Sequence, residues 1–272
     1  MISTVEHPRL GTLRTGRLPR TFGHVATVAR LRAERGISLP PLPASLNNAK
    51  STDIAHMFLN DQHGDCTCAG MANLIDLVTY DAQGGQAPIV DAQVLAAYEA
   101  VGGYRPGDPS TDNGANEQDV LRWWQTVGFP LEDGSHLRAG PAFEVNPRDT
   151  NGICEVIANF GAAYIGFSVP AGFMFELPPI WYDNPAYGAI EGGHCVLLHS
   201  WEPAAAPGLR QFGVTTWGTN AEFKMREDFV GKYVDEVYGV VLSPWIESKG
   251  TTPYGLTLEQ LTSLGGEVGQ QL

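Results

Sequence analysis

The chain carries the stretch NDQHGDCTCA at residues 60–69, which predicts a turn followed by the start of a helix. Asp65 is of a residue type that caps helix N-termini, and apolar residues recur at helical spacing after it. The pattern therefore predicts a helix from Cys66 to about Ala82, with Cys66 in its first turn.

A cysteine at a helix N-terminus is a candidate nucleophile. The N-terminus carries roughly half a positive charge, which stabilises a thiolate and lowers the pKa of the thiol. The thiolate is the form that attacks carbonyl carbons. We therefore expect Cys66 to react with alkylating reagents well below the ordinary thiol pKa of about 8.5.

A thiol nucleophile also needs a base, and a histidine lies at the start of a predicted strand. Residues 191–198 read EGGHCVLL, in which two glycines lead into an apolar run that begins at His194. The next predicted strand, FGVTTWG, covers residues 212–218. The chain thus has a cysteine, a histidine about 130 residues later, and then a strand that ends in Trp-Gly.

This order resembles the papain-like cysteine peptidases, and the similarity extends over most of the chain. Short blocks match those of the family in the same order, and they are residues 42–47, 60–67, 90–95, 113–115, 117–128, 193–196 and 215–218. The pattern N-D-x-x-G-D-C-T also resembles bacterial and phage proteins of this general shape. The resemblance implies a cleft enzyme that uses a Cys-His pair.

The resemblance implies a set of catalytic residues. Cys66 takes the place of the nucleophile, and His194 that of the base. Asn60 stands where the family has the oxyanion-hole glutamine, and Thr215 where it has the asparagine that orients the histidine. Trp217 matches the tryptophan that shields the contact between that pair from water. Both Asn60 and Thr215 depart from the family's residue type.

The resemblance also implies where a substrate would lie. Asn113 and Gly114 match the segment that lines the family's cleft, so their backbone groups are expected to bind an extended, peptide-like substrate. Ala115 replaces a family glycine there, which crowds an extended peptide. The family needs no cofactor for this chemistry, and we expect none here.

The sequence leaves the nucleophile open between two cysteines. Counting six residues from Asn60 selects Cys66, whereas counting from Gln62 selects Cys68. Gly64 lies two residues before Cys66, as a glycine does in the family, and Cys66 stands at the predicted helix start. These points favour Cys66, with Cys68 as a small buried residue or a redox partner.

The order of predicted elements indicates an α+β, papain-like fold. It has a helical lobe followed by an antiparallel β-sheet lobe, with the active-site cleft between them. The predicted helices are Cys66 to Ala82, Asp91 to Val101, Asn116 to Val127, one between Asp149 and Gly161, and a weak one from Thr257 to Leu264. The predicted strands are Ala163 to Val169, His194 to Trp201, Gln211 to Trp217, and Val237 to Pro244.

Composition and charge divide the chain into three expected parts. The 272 residues are 43% hydrophobic, enough for two lobes around a cleft. We expect a basic arm at residues 1–39, a papain-like domain at 40–248 with lobes at about 40–145 and 146–248, and a C-terminal tail at 249–272.

The charge is uneven along the chain. The net charge of −13 argues against a general nucleic-acid binder. Residues 1–40 carry +5, which leaves −18 on the rest. Such an arm is a solvated extension, a docking arm for a protein assembly partner, or an inhibitory propeptide, and the sequence leaves these alternatives open.

Two functions remain open at this stage. The first is a thiol hydrolase that cleaves an amide or peptide-type bond through Cys66 and His194. The alternative is a catalytically inactive papain-like domain that serves as a structural or binding component of a virion or another assembly. A metal site built from His63, Cys66, Cys68 and Cys195 is disfavoured, because His-x2-Cys-x-Cys is not a familiar zinc pattern.

The sequence also suggests a cellular location. Four cysteines in a chain of this size do not form a disulfide framework, and the N-terminus lacks a signal-peptide pattern. No apolar run approaches the length of a membrane span. We therefore expect a protein that is cytoplasmic as synthesised, with a virion as the alternative site.

Overall fold

A computed structural model describes residues 41–49, 55–244, 250–252, 255–257 and 259–260, and the backbone of residues 3–7 and 11–15. The α-helices of this described part are α1 (Cys66–Gln83), α2 (Asp91–Gly102), α3 (Glu117–Thr126), α4 (Thr150–Phe160) and α5 (Glu227–Tyr233). Short 3-10 helices cover Pro109–Thr111, Ala171–Met174 and Pro185–Tyr187.

The strands form one large sheet and a small hairpin. They are β1 (Ser3–His7), β2 (Gly11–Thr15), β3 (Leu46–Asn47), β4 (Phe129–Pro130), β5 (His136–Leu137), β6 (Ala139–Glu144), β7 (Ala163–Pro170), β8 (Ile180–Trp181), β9 (Ile190–Pro203), β10 (Arg210–Thr216), β11 (Thr219–Arg226) and β12 (Val234–Leu242). The order in the large sheet is β6-β12-β7-β9-β10-β11-β8, and β2 and β3 also pair with β9. Every pairing is antiparallel except that of β8 with β11.

The long strand β9 organises the sheet because β7, β10, β2 and β3 all pair with it. Side chains of successive strand residues point to opposite faces. Ile165 and Val196 therefore face one core, which α4 and α5 help to fill. Tyr164 and Leu197 face a second core, into which α1, α2 and α3 pack. The predicted α+β class is confirmed, with the helices of the second core first in the chain and most strands later.

The helix predictions from spacing and caps are confirmed within two residues at each end. Asp149 accepts a hydrogen bond from the Gly152 N–H (2.9 Å), and α4 ends at Gly161. Helix α1 ends at Gly84, whose φ of 75° is accessible to glycine without strain. Asp65 occupies the N-cap position of α1, but its side chain makes no capping hydrogen bond, so that part of the prediction is wrong.

The sequence prediction missed the two elements between β10 and β12. β11 and α5 follow β10 directly, and the burial along β11 is irregular rather than strictly alternating. An edge-proximal strand of mostly polar residues gives little period-two signal. The weak helix predicted from Thr257 to Leu264 lies mostly outside the described residues. The boundaries predicted for the arm, domain and tail stay predictions.

Within the described residues, no helix combines the length and apolar character that a bilayer span requires.

The Tyr164 hydroxyl joins the sheet to the first turn of α1, because it donates a hydrogen bond to the Thr67 carbonyl oxygen (2.9 Å). Both groups are buried. We expect Tyr164→Phe to lower the free energy of unfolding by about 1 kcal/mol, since the carbonyl loses its buried partner. Urea denaturation measures this. Tyr80→Phe, on the exposed side of α1, is the matched control and leaves stability unchanged; equal effects of the two changes would contradict the argument.

Candidate active site

Cys66 lies where the helical layer meets the sheet. It is the first residue of α1, and the backbone N–H groups of Cys195 and Thr67 act on its thiol. Cys195 directly follows His194 in β9. Cys66 is partly exposed, whereas Cys68 is fully buried in the core of the helical layer. Of the two cysteines, Cys66 is therefore the one with atoms at the surface, although its thiol group is buried.

The surroundings of Cys66 act against the thiolate. Burial, followed by the negative charges of Glu117 and Asp65, raises the pKa of the Cys66 thiol to about 12, and the two N–H groups offset only part of that rise. The pKa of Cys66 is therefore raised, whereas its position at a helix N-terminus led us to expect a lowered pKa. Half a unit of positive charge at the helix end does not offset desolvation together with a neighbouring carboxylate.

His194 is buried and held on two sides. Its Nε2 lies 3.1 Å from Thr216 Oγ1, which is hydrogen-bond distance. The Trp217 ring stacks on the imidazole at 4.4 Å between centroids and an angle of 11°, and Phe167 meets it edge-on at 5.9 Å. Trp217 therefore covers one face of the imidazole, and its predicted shielding role stays a prediction.

The threonine whose hydroxyl contacts the His194 ring is Thr216. This corrects the prediction that Thr215 orients the histidine. Thr215 Oγ1 lies 3.0 Å from His199 Nδ1 instead. The cause is a bulge inside β9: Gly213 pairs with Ser200, whereas Val214 pairs with Leu198, so His199 is an extra residue in β9. A bulge of this kind redirects side chains, and motif matching cannot register it.

Asn60 also departs from its predicted role. Its amide Nδ2 donates to Asp65 Oδ1 (3.0 Å) and to the His63 carbonyl oxygen (3.4 Å), so both N–H bonds are used within the loop. Asp65 is fully buried, and desolvation raises the pKa of its carboxyl well above the usual range. In this structure the Asn60 amide therefore stabilises the loop before Cys66 instead of facing an oxyanion.

The predicted substrate-binding residues use their N–H groups internally. Gly114 N–H donates to the Tyr98 hydroxyl oxygen (2.9 Å), and Asn113 N–H donates to the Thr111 carbonyl oxygen (3.0 Å). Asn113 also donates from its side chain to the Ser110 carbonyl oxygen (2.9 Å). Both backbone N–H groups therefore have partners within the chain, and substrate binding by this segment stays a prediction.

Asp112 ties this segment to the loop before Cys66. It accepts hydrogen bonds from the Tyr98 hydroxyl (2.6 Å) and from the Gly64 N–H (2.9 Å). A Cβ at Gly64 would lie 3.0 Å from Asp112 Oδ1 and 3.3 Å from the Gly114 nitrogen. A side chain at position 64 would therefore crowd the two loops where they approach each other, which favours glycine there.

Sequence reasoning missed two residues at this site, Thr216 and Glu117. Thr216 is adjacent to the residue chosen from the motif, and only the strand pairing distinguishes them. Glu117 follows Asn116, which caps α3 by accepting from the Gln118 N–H (2.8 Å). An acidic residue in a first helical turn is an ordinary signal, so the sequence gives no sign that Glu117 approaches Cys66.

No three His, Cys, Asp or Glu side chains of the described residues come together as a metal-binding group.

The N-terminal strands reach the edge of the site. β2 pairs with β1 as a hairpin and with β9 at one position, where Arg14 lies opposite Gly193. Gly193 immediately precedes His194. Part of the segment predicted as a basic arm therefore lies beside the candidate histidine.

Solved structures with a similar fold include cysteine proteases. Xylellain, a cysteine protease from Xylella fastidiosa, aligns with a TM-score of 0.63 at 14% identity, over 88% of this chain and 98% of that one. Procathepsin L 3 from the Tenebrio molitor larval midgut aligns at 0.54 and 12%, over 75% and 71%. The Carica candamarcensis protease CMS1MS2, solved in complex with E-64, aligns at 0.52 and 11%, over 74% and 99%.

No protein-family model and no curated protein sequence matches the chain. The likeness in structure shows that the chain has the papain-like fold, as the sequence blocks predicted.

The raised pKa of Cys66 predicts a slow thiol. At about pH 8, we expect iodoacetamide to alkylate Cys66 more than about 100-fold more slowly than a free thiol, with a rate that still rises at about pH 10. Mass spectrometry of the folded chain measures the rate, and Cys66→Ser identifies the signal that belongs to Cys66. A rate that levels off below about pH 8 would contradict the structure.

Proposed function

We propose that the protein is a thiol hydrolase that cleaves amide or peptide-type bonds, with Cys66 as nucleophile and His194 as base. The observation that carries the proposal is the position of Cys66 against the backbone of Cys195, one residue from a histidine that Thr216 and Trp217 hold in place. The papain-like fold of the chain supports the same reaction class.

The threonine contact assigns the two ring nitrogens of His194 to separate tasks. Because Nε2 lies at hydrogen-bond distance from Thr216 Oγ1, it fixes the orientation of the ring. Nδ1 is then the nitrogen that exchanges a proton with the thiol. The stacked Trp217 keeps water away from the Nε2 contact, which strengthens it.

The reaction follows from these positions. The Cys66 sulfur attacks the substrate carbonyl carbon, a C–S bond forms, and the thiol proton moves to His194. The tetrahedral intermediate collapses as the C–N bond breaks, and His194 gives its proton to the departing amine. Water then attacks the thioester, with His194 as base, and releases the acid and the free thiol.

The resting site holds a neutral thiol, since burial and Glu117 raise the pKa of Cys66. Proton transfer to His194 therefore accompanies attack rather than preceding it. The developing oxyanion is stabilised by the backbone N–H at the start of α1, where one well-placed donor contributes about 3 kcal/mol. Asn60 supports this loop through Asp65.

A papain-like scaffold without chemistry is the second candidate function. The engaged Asn60 amide and the neutral Cys66 thiol favour it, because both reduce the readiness of the site for catalysis. In that case the domain would serve as a binding or structural part of an assembly.

Covalent labelling and hydrolysis separate the two candidates. The thiol reagent E-64, the ligand of the Carica protease structure, is incubated with the full chain, and intact mass reports one added molecule. We expect labelling and cleavage of a fluorogenic peptide pool by the wild type. Both are lost in Cys66→Ser and reduced at least about 100-fold in His194→Ala. A wild type that neither labels nor cleaves is a scaffold.

The two threonines provide a matched pair for the orientation of His194. We expect Thr216→Val to lower kcat for the peptide pool at least about 10-fold with little change in KM, because the imidazole loses its partner at Nε2. Thr215→Val removes only the contact to His199, so kcat stays within about 2-fold of the wild type. A loss of kcat in Thr215→Val but not in Thr216→Val would instead give Thr215 the orienting role, as the motif match implies.

A further inference from the structure

A partly open cavity of about 580 Å³ lies where β9, β10 and β11 meet the chain segment that contains β3. This volume is in the range of sites that hold small molecules. Cys66, His194, Thr216 and Trp217 do not line the cavity, so it is separate from the candidate active site. The proposed hydrolase reaction gives this cavity no role.

Gly213 of β10 leaves a gap in the wall of the cavity. Ser200 of β9 pairs with it on one side, and Lys224 of β11 pairs with it on the other. Because paired residues of neighbouring strands point to the same face of a sheet, the side chains of Ser200 and Lys224 flank the gap. The polar groups of the neighbouring strands therefore meet where β10 has no side chain.

The bulge in β9 brings His199 to the same place. Successive strand residues normally point to opposite faces, but His199 is the extra residue of the bulge and lines the cavity together with Ser200. A Cβ at Gly213 would lie 2.3 Å from Ser200 Oγ and 2.7 Å from His199 Nε2. The hydroxyl and the imidazole thus converge over the glycine, close enough to contact one ligand atom.

His199 presents a hydrogen-bond donor to this space. The residue is 2% exposed, and burial lowers the pKa of its imidazole to about 4, so the ring is neutral at neutral pH. Within the described residues the Thr215 hydroxyl has no acceptor other than His199 Nδ1 (3.0 Å), which assigns the ring proton to Nε2. The Nε2–H group has no acceptor in the described part of the chain, which is unfavourable for a buried donor.

Ser200 and Lys224 add two more donors. The Ser200 hydroxyl oxygen accepts from the Gly213 N–H (3.1 Å), and its own proton has no acceptor among the residues that the structure describes. The Lys224 ammonium group donates to Glu202, and with three N–H bonds it retains donors for a ligand. Glu202 also accepts from the Gln211 amide (2.8 Å), so its charge is compensated within the protein.

These donors select the chemistry of the ligand. One ammonium group with two neutral donors suits a singly charged carboxylate, whose two oxygens accept several hydrogen bonds. A doubly charged phosphate would need more positive charge, all the more in a chain whose net charge is −13.

We propose that this cavity binds a carboxylate group, with one oxygen over Gly213 between Ser200 Oγ and His199 Nε2 and the other toward Lys224. Small organic acids and the free C-terminus of a peptide share this chemistry. The inference goes beyond the proposed function, since binding here requires neither Cys66 nor His194.

Ligand binding to the full chain tests the proposal without requiring turnover. The probes are propionate and acetyl-diglycine, a peptide with a free C-terminus, and the matched probes are their amides, which have the same shape without the charge. Isothermal titration calorimetry up to about 20 mM ligand gives the dissociation constants. Nitrogen NMR follows the imidazole of His199, whose resonances are assigned with His199→Gln. Inorganic phosphate is titrated in parallel.

We expect at least one acid to bind at least about 10-fold more tightly than its amide and to shift the Nε2 resonance of His199. Lys224→Gln reduces that ratio to within about 2-fold, and Ser200→Ala weakens binding of the acid about 10-fold. Lys232→Gln is the matched control and keeps the ratio. The Lys232 side chain is 44% exposed against 42% for Lys224 and also pairs with a carboxylate, but it does not line the cavity.

Binding of either acid supports the proposal, and the acid that binds more tightly identifies the source of the carboxylate. Equal binding of acid and amide, an unmoved His199 resonance, a ratio that survives Lys224→Gln, or phosphate binding as tight as that of the acids would each overturn it. If Ser200→Ala does not fold, the exposed Lys224→Gln change decides. Failure of the hydrolase function leaves these outcomes unchanged, because none of them depends on cleavage.

Discussion

The docking of the first turn of α1 against β9 is the contact on which the rest of the site depends. Cys66 lies beside the backbone of Cys195, and the Tyr164 hydroxyl holds the Thr67 carbonyl one residue further along. The first N–H groups of a helix have no acceptor within the helix, so other groups must accept hydrogen bonds from them. This docking brings a residue from the first third of the chain against the strand that carries His194, in its last third.

Buried polar groups, rather than apolar packing, set the shape of the loops around Cys66. Asp112 takes hydrogen bonds from Tyr98 and Gly64, and Asp65 takes one from Asn60. Buried carboxyl groups destabilise a fold unless they are paired or protonated, so these contacts hold the loops in one arrangement. The same contacts engage the Asn60 amide, which connects the stability of the loop to the chemistry that the site can perform.

The electrostatics of the site disfavour the Cys66 thiolate, although the packing of the site holds His194 in place. Burial and the Glu117 carboxylate both disfavour the Cys66 thiolate, while the stacked ring of Trp217 and the hydroxyl of Thr216 keep His194 in place. Packing sets the orientation of His194, whereas burial and nearby charges set the protonation of Cys66. The site can therefore hold the histidine in place while its charges disfavour the thiolate.

The sequence by itself determined the helices, the main strands and the papain-like order, and it predicted Cys66 and His194 as candidate site residues. Local periodicity, caps and motif order carry that information, because each depends on residues close together in the chain. Only the tertiary structure decided that Thr216 and not Thr215 meets His194, since a bulge in β9 redirects the side chains. It also decided the direction of the Cys66 pKa and the approach of Glu117, because burial and charge at that thiol arise from segments distant in sequence.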